Sequence, residues 1–467
     1  MPFNDDSMFQ RAISLIDSNG VPYPWPVFNG VPRVNSTITD DSGTAASIAN
    51  TLVSPSTYGL VTRNVDMSFD AFNRLRISEP FTLISGFNEY KINPFNFVTS
   101  TTGTGTVTHS TTTKRVTLAT GGTASGARSV QQSRVYARYN PGKSLQMSVT
   151  AIPGAVPASG VAKRMGYFDD SNGIFLNYTS AGIALVLRSS VSGSIVDTSV
   201  AQASWNVDPM NGSGPSGLTL DMTKGQIFIV DLQYLGVGTV RCGFEINGLL
   251  YYVHFFHHSN LTSDQPYMAT PNLPVRWEIV NTGTAGAVAT MDAICCQVSS
   301  EGGFEPIGIQ YSAENDVGIG LTTTLKPILS IRPGPTFGGI TNRGWIIPKA
   351  LSLYVDNNTS VIVKYQLIWN ATLTGASWTA VNANAMGQFD VTATAVSLGS
   401  GVVIDRDTFA SSSNSAKVGN LSNTAFSDRP LVNSFDGTTP DTLTIAARTV
   451  TGTATAAYAS ITWQGQW

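Results

Sequence analysis

The stretch GQIFIVDLQYLGVGTVRCGFEINGLLYYVHFFHHSN, Gly225 to Asn260, decides how the chain is read. Three runs rich in β-branched and aromatic residues (Gln226 to Tyr234, Thr239 to Ile246 and Leu249 to His257) are separated by Leu235-Gly236-Val237-Gly238 and by Asn247-Gly248. Asn-Gly is the strongest short hairpin signal, because a type I′ turn requires positive φ at both central residues and these two residue types tolerate it. The stretch predicts a three-stranded β-meander. Both ribbon faces carry apolar side chains, with Ile227, Ile229, Phe244 and Ile246 expected on one and Phe228, Val230 and Val240 on the other. A ribbon of this kind is buried between layers, so the same chain must supply a second sheet.

The flanking sequence supplies the strands for it. Runs at Val130 to Tyr139, Leu145 to Ile152, Arg164 to Phe168, Ile174 to Tyr178, Ile183 to Arg188, Ser194 to Val200, Arg276 to Asn281 and Val288 to Val298 are divided by turn residues, with almost no helical pattern between them. Residues 99–127, rich in Thr, Gly and Ser, read as exposed hairpins. Strands without intervening helices predict an all-β protein of antiparallel sandwiches, of concanavalin-like, laminin-G-like or jelly-roll type. The pattern breaks at Ser299-Ser300-Glu301-Gly302-Gly303. It then resumes with Ile328 to Arg332, Ala350 to Val355, Ser360 to Trp369, Gly387 to Val396, Thr442 to Ala447 and Ala457 to Trp463. Three parts are expected: an extended N-terminal arm over 1–65, a main β-sandwich over 66–303 and a second, smaller one over 304–467.

The arm holds one short helical pattern, Ser7 to Ile16, followed by VPYPWPVFNGVP. Pro22, Pro24, Pro26 and Pro32 fix φ and remove donors, which predicts an extended segment. Tyr23, Trp25 and Phe28 among those prolines are candidate assembly residues, either against the chain's own body or on a neighbouring subunit. From Asp66 to Asn96, the alternation of Phe72, Arg74, Arg76 and Ser78 predicts a strand entering the main sandwich.

Composition narrows the function classes. Of 467 residues only 12% are charged, about half the usual share. The net charge of −3 gives no general basic field, which argues against nucleic-acid binding as the main role. No apolar run approaches the roughly 20 residues of a membrane helix, and MPFNDDSMFQ has neither the basic residues nor the apolar centre of a signal peptide. No membrane insertion is therefore expected, and the protein is expected to be made and held in a cytoplasm. Cys242, Cys295 and Cys296 are an odd set, read as free thiols.

The candidate sites are few. Phe168-Asp169-Asp170-Ser171-Asn172-Gly173 has the composition of a cation loop, so Asp169, Asp170 and Asn172 are the calcium candidates. EF-hand spacing is absent, and Asp and Asn also close tight turns through their own side chains. His254 and His258 are expected on one strand face with His257 on the other, too few ligands for catalytic zinc. Asp231, Glu245 and Glu278 could suggest a glycosidase pair, although Arg241 and Arg276 stand ready as ion-pair partners. No cofactor is expected.

Several blocks resemble a family of virion structural proteins of tailed bacteriophages and some large DNA viruses. They are Asp70-Ala71-Phe72-Asn73-Arg74-Leu75-Arg76-Ile77-Ser78-Glu79-Pro80; Tyr139-Asn140-Pro141-Gly142-Lys143-Ser144; Arg164 with Gly166-Tyr167-Phe168-Asp169 and Asn172-Gly173-Ile174-Phe175; Asp231 to Gly238 with Val240-Arg241; and Asn272 to Ile279. They span residues 66–303 in one order; Asn73 and Tyr234 depart from the more usual Gly and Trp. The resemblance implies a non-enzymatic particle component and carries no catalytic residues. Joined to the composition and the arm, it predicts a trimeric tail, baseplate or fibre protein that meets other virion proteins through the arm and touches host glycan. A head decoration or head-fibre protein, a glycan depolymerase and a free carbohydrate-binding module are the alternatives.

Overall fold

The computed structural model describes residues 70–71, 74, 76, 79–261, 265–305, 307–356, 360–411, 415–420 and 429–466, together with the backbone of short strands within 27–59. Residues 1–67 and 68–467 form separate compact units. In the first, Val27–Phe28 pairs with Val31–Pro32, Ile38–Thr39 with Ala45–Ala46, and Thr51–Ser54 with Thr57–Gly59. The helical pattern at Ser7 to Ile16, Tyr23, Trp25 and the side chain of Phe28 lie outside the described residues.

The larger unit is all-β, and a 3₁₀ turn at Gln202–Ser204 is the only helical turn among the described residues. The quoted meander forms Gln226–Leu232, Val240–Ile246 and Leu249–Phe256. Asn247 and Gly248 take φ of 54° and 78°, the positive pair that a type I′ turn demands. The meander continues into an antiparallel sheet through Leu145–Ile152, Thr290–Ser300, Arg115–Ala119 and Thr106–Ser110, with Phe81–Phe87 also paired to Thr290–Ser300. Facing it is a seven-stranded sheet in the order Val196–Ala201, Gly182–Ser189, Gly173–Thr179, Val161–Phe168, Val275–Asn281, Arg128–Ser133, Phe97–Thr102.

Between the two sheets lies one core that includes Met147, Phe228, Val230, Phe244, Met165, Leu185 and Trp277. The pairing of Phe228 with Phe244 corrects the expected faces: Phe244 shares the core side with Phe228 and Val230 rather than the side of Ile227. Alternation along Val240–Ile246 requires this: Phe244 lies four residues from Val240 on one strand and so shares its face, with Val240 opposite Leu232 and Phe244 opposite Phe228. The run after Val130 ends as a strand at Ser133, and Gly387–Asp390 is separated from Ala395–Val396. Among the strands that had no counterpart in the sequence reading are Ile309–Glu314, Val402–Ser411 and Ser415–Asn420.

Residues 309–466 build a second pair of sheets. One contains Ile309–Glu314, Ala454–Gln466, Trp345–Asp356 and Ser415–Asn420, the other Lys326–Pro333, Leu443–Thr449, Val361–Trp369 and Val402–Ser411. Their own core includes Ile331, Leu353, Leu367, Ile445, Ile461 and Trp463. The two sandwiches meet over a small apolar seam of Trp345, Ile347 and Val432 against Leu83, Val135 and Phe304. Trp345 Nε1 donates to the carbonyl of Tyr136 at 2.9 Å, and Arg134 pairs with the buried Asp441. Trp345→Ala removes both ring and donor from this seam. A loss of about 3–5 kcal/mol is expected, read as a lower denaturant midpoint at unchanged slope.

Candidate functional site

Strand alternation sets the positions of the acids. In Val275–Asn281, Trp277 enters the core, so Glu278 points to the outer face of its sheet. In Gln226–Leu232, Val230 and Leu232 enter the core from the other sheet, so Asp231 points outward on the opposite side of the sandwich. Glu245 stands opposite Ile227 on Asp231's side and is exposed. Glu278 therefore forms no cleft with either of the other two acids.

Both buried acids are held by arginines. Glu278 accepts from Arg164 Nη1 at 2.7 Å, from Arg128 Nε at 3.0 Å and from Arg276 Nη1 at 3.4 Å. Burial alone would raise its pKa, but Arg128, Arg164 and Arg276 outweigh that and hold it below the ordinary carboxylate value. The Arg276 guanidinium lies over the rings of Phe168 and Phe435, 5.2 and 5.1 Å from their centroids. Arg164 and Arg188 cover Phe175 in the same way.

On the opposite face, Asp231 accepts from Ser144 Oγ at 2.8 Å, Arg76 Nη2 at 2.6 Å and Tyr252 OH at 2.7 Å, and also from Arg241. Ser144 Oγ in turn accepts from the backbone N–H of Ala71 at 3.2 Å. Asp70 Oδ1 accepts from the N–H of Arg74 at 2.7 Å while its own N–H donates to the Arg74 carbonyl at 2.8 Å. Arg74 and Arg76 carry no strand, and the first described strand of the sandwich starts at Phe81; Phe72, Asn73, Leu75, Ile77 and Ser78, on which the expected entering strand depends, lie outside the described residues. Asp231 with Arg76 and Arg241, and Glu278 with Arg164 and Arg276, thus form two ion-pair networks, one on each outer face.

The calcium candidates have protein partners. Asp169 Oδ1 accepts the N–H groups of Ser171 and Asn172, each at 2.8 Å, closing a tight turn. Asp170 pairs with Arg276 at 2.6 Å and with Arg128. Burial works against its charge, but the two arginines pull its pKa down to about 2. Asn172 links Ser190 and the N–H of Ala269. Gly173 completes the turn at φ 142°, where a Cβ would lie 2.3 Å from Phe168 Cα. Among the described residues no group of three His, Cys, Asp or Glu side chains is placed to hold a metal.

The histidines lead to a different feature. The strand ends at Phe256, so the expected alternation does not reach His257 and His258, and both line one cleft of about 600 Å³. The cleft opens between two edge strands of the facing sheets, Val196–Ala201 and Leu249–Phe256, and is completed by Asn206, Gln265 and Tyr267. His258 stacks on Tyr267 with centroids 4.1 Å apart, and its Nδ1 lies 2.7 Å from the Gly238 carbonyl. Asn206 donates to and accepts from the backbone of Phe255 at 2.9 Å each, standing in for a strand neighbour at that edge. His254 turns toward the core and accepts from the N–H of Asn206 at 3.2 Å. Asn206, Gln265 and Tyr267 escaped the sequence reading because they lie in loops far apart in sequence. A second cavity, of about 580 Å³, lies at the seam of the sandwiches, lined by Phe81, Phe95, Trp345, Trp369 and Arg429 among others.

No family model and no curated protein matches the chain. Among solved structures it is similar to the carbohydrate recognition domain of Emp47p, at 10% identity over 47% of this chain and 94% of that one, with a TM-score of 0.29. A legume lectin-like domain from Entamoeba histolytica is similar at 13% identity over 47% and 98%, TM-score 0.27. A carbohydrate esterase of the Shiga toxin-encoding bacteriophage phi24B is similar at 10% over 47% and 99%, TM-score 0.27. Likenesses this loose have no bearing on function.

Two outcomes follow from this geometry. Asp231→Asn leaves Arg76 and Arg241 facing a neutral group, and a loss of about 3–5 kcal/mol is expected in chemical denaturation. Burial, with His257 adding to it, lowers the His254 pKa to about 4, whereas the unfolded chain takes up that proton near 6.5. Between those values the unfolded state binds more protons, so stability falls as pH drops from about 6.5 to about 4. Thermal midpoints across this window should fall less steeply in His254→Asn than in the unsubstituted protein.

Proposed function

We propose that the protein is a non-enzymatic structural component of a tailed-phage particle, a tail, baseplate or fibre element that touches host glycan. In this reading residues 1–65 anchor the chain to other virion proteins through Tyr23, Trp25 and Phe28. Residues 66–303 and 304–467 are the two exposed bodies of a homotrimer, assembled in the host cytoplasm and carried on the virion.

The observation that carries the reading is the fate of the residues in the resembling blocks. Asp70 pairs with Arg74, Arg76, Ser144 and Arg241 bind Asp231, and Arg164 and Arg276 bind Glu278. Side chains satisfied in this way support a scaffold, since a general acid or nucleophile must present a free group to substrate. The low charge content supports a protein whose surface is spent on neighbours.

Imaging of labelled copies on intact particles tests the position. Label on the tail tip or baseplate is expected; label confined to the capsid shell would favour a head decoration or head-fibre protein instead. Removal of residues 1–65 should leave a folded body that enters particles poorly, and normal incorporation would sink the anchoring role. Host polysaccharide should stay intact in the protein's presence; turnover abolished by Glu278→Gln would favour the depolymerase.

A further inference from the structure

We propose that the cleft between Val196–Ala201 and Leu249–Phe256 binds an uncharged, hydroxyl-rich sugar unit. This rests on the reading of host-glycan contact and assigns that contact to a place and a ligand class.

The first ground is charge. None of the described residues lining the cleft is Asp, Glu, Lys or Arg. An ionic ligand entering it would shed water without meeting a counter-charge, at a cost that a neutral ligand avoids. The second is size, about 600 Å³, within the range of about 300–1,000 Å³ that suits small-molecule sites.

The third ground is the hydrogen-bonding inventory. A carbonyl can only accept, so the contact of His258 Nδ1 with the Gly238 carbonyl places the proton on Nδ1. The neutral ring then offers the lone pair of Nε2, an acceptor for a hydroxyl, and stacking on Tyr267 holds the ring in plane. Gln265 and Thr198 are exposed at the rim and supply groups that both donate and accept. Phe255 and the half-exposed Val196 supply apolar surface for the C–H faces of a pyranose.

The fourth ground is rigidity. The pair of bonds from Asn206 to Phe255 fixes the wall before any ligand arrives, so little ordering remains to oppose binding.

The test uses the full chain titrated by saturation-transfer NMR and calorimetry with lactose, maltose and cellobiose as neutral probes and sialyllactose as the charged one. At least one neutral disaccharide should bind, with sialyllactose no tighter than lactose. His258→Phe keeps the stacked ring and removes the acceptor, and Gln265→Ala changes an exposed side chain that folding does not need. Each should weaken binding about fivefold, the loss of one hydrogen bond. Binding unchanged in both variants, binding of sialyllactose alone, or no binding by any of the neutral sugars would overturn the assignment, as would a dimer formed through these strand edges and abolished by Thr198→Pro.

Adsorption of particles separates this inference from the one beneath it. If glycan-stripped hosts adsorb particles normally, the glycan-contact reading itself fails. If stripping abolishes adsorption but His258→Phe and Gln265→Ala particles adsorb like the parent, that reading stands and the cleft loses its role.

Discussion

Asp231 is a carboxylate with no exposed surface, and the arrangement of the first sandwich depends on matching it. A buried charge without partners costs several kcal/mol, so Arg76, Arg241, Tyr252 and Ser144 must all arrive for the meander sheet to form as observed. Those partners come from residues 76 to 252, so this one acid ties the entry segment, the strand Leu145–Ile152 and the meander into a single object. Glu278 does the same on the other face with Arg128, Arg164 and Arg276. A chain with so few charges has placed several of them where they lock sheets.

The meander was legible because its signals are local. Asn247-Gly248 fixes a turn by backbone sterics alone, and the apolar runs around it mark strands whatever they pair with. The face of Phe244 follows from alternation, a rule just as local, since four residues along one strand it must share the side of Val240, which is the side of Phe228 and Val230. What Arg74 and Arg76 bind was not legible, because the Asp70 carboxylate takes the N–H of Arg74 locally while Asp231 takes Arg76 from 155 residues away. Val402–Ser411, with two Asp and an Arg among its residues, lacks the apolar alternation that marks a half-buried strand.

At the candidate site the acids and their possible arginine partners were readable, but their opposite faces were not, since that follows from which sheet each strand joins. The cleft was less readable still. His257 and His258 drew notice for their spacing, whereas Asn206, Gln265 and Tyr267 reach the same place only through loops joining different strands. Composition could have pointed to such a site only in the general sense that amides and hydroxyls are abundant throughout the chain.

The attachment of Ala71 and Arg76 has a mechanical consequence. A pull applied at Asp70 does not reach the edge strand Phe81–Phe87 first, where hydrogen bonds could open one after another like a zip. Arg76 delivers it to Asp231 in Gln226–Leu232, and the bond of Ala71 to Ser144 delivers it beside Leu145–Ile152. Both strands lie inside the sheet, with neighbours on either side. Load entering there is shared among several ladders at once, so the sandwich resists tension from that end by yielding collectively or not at all.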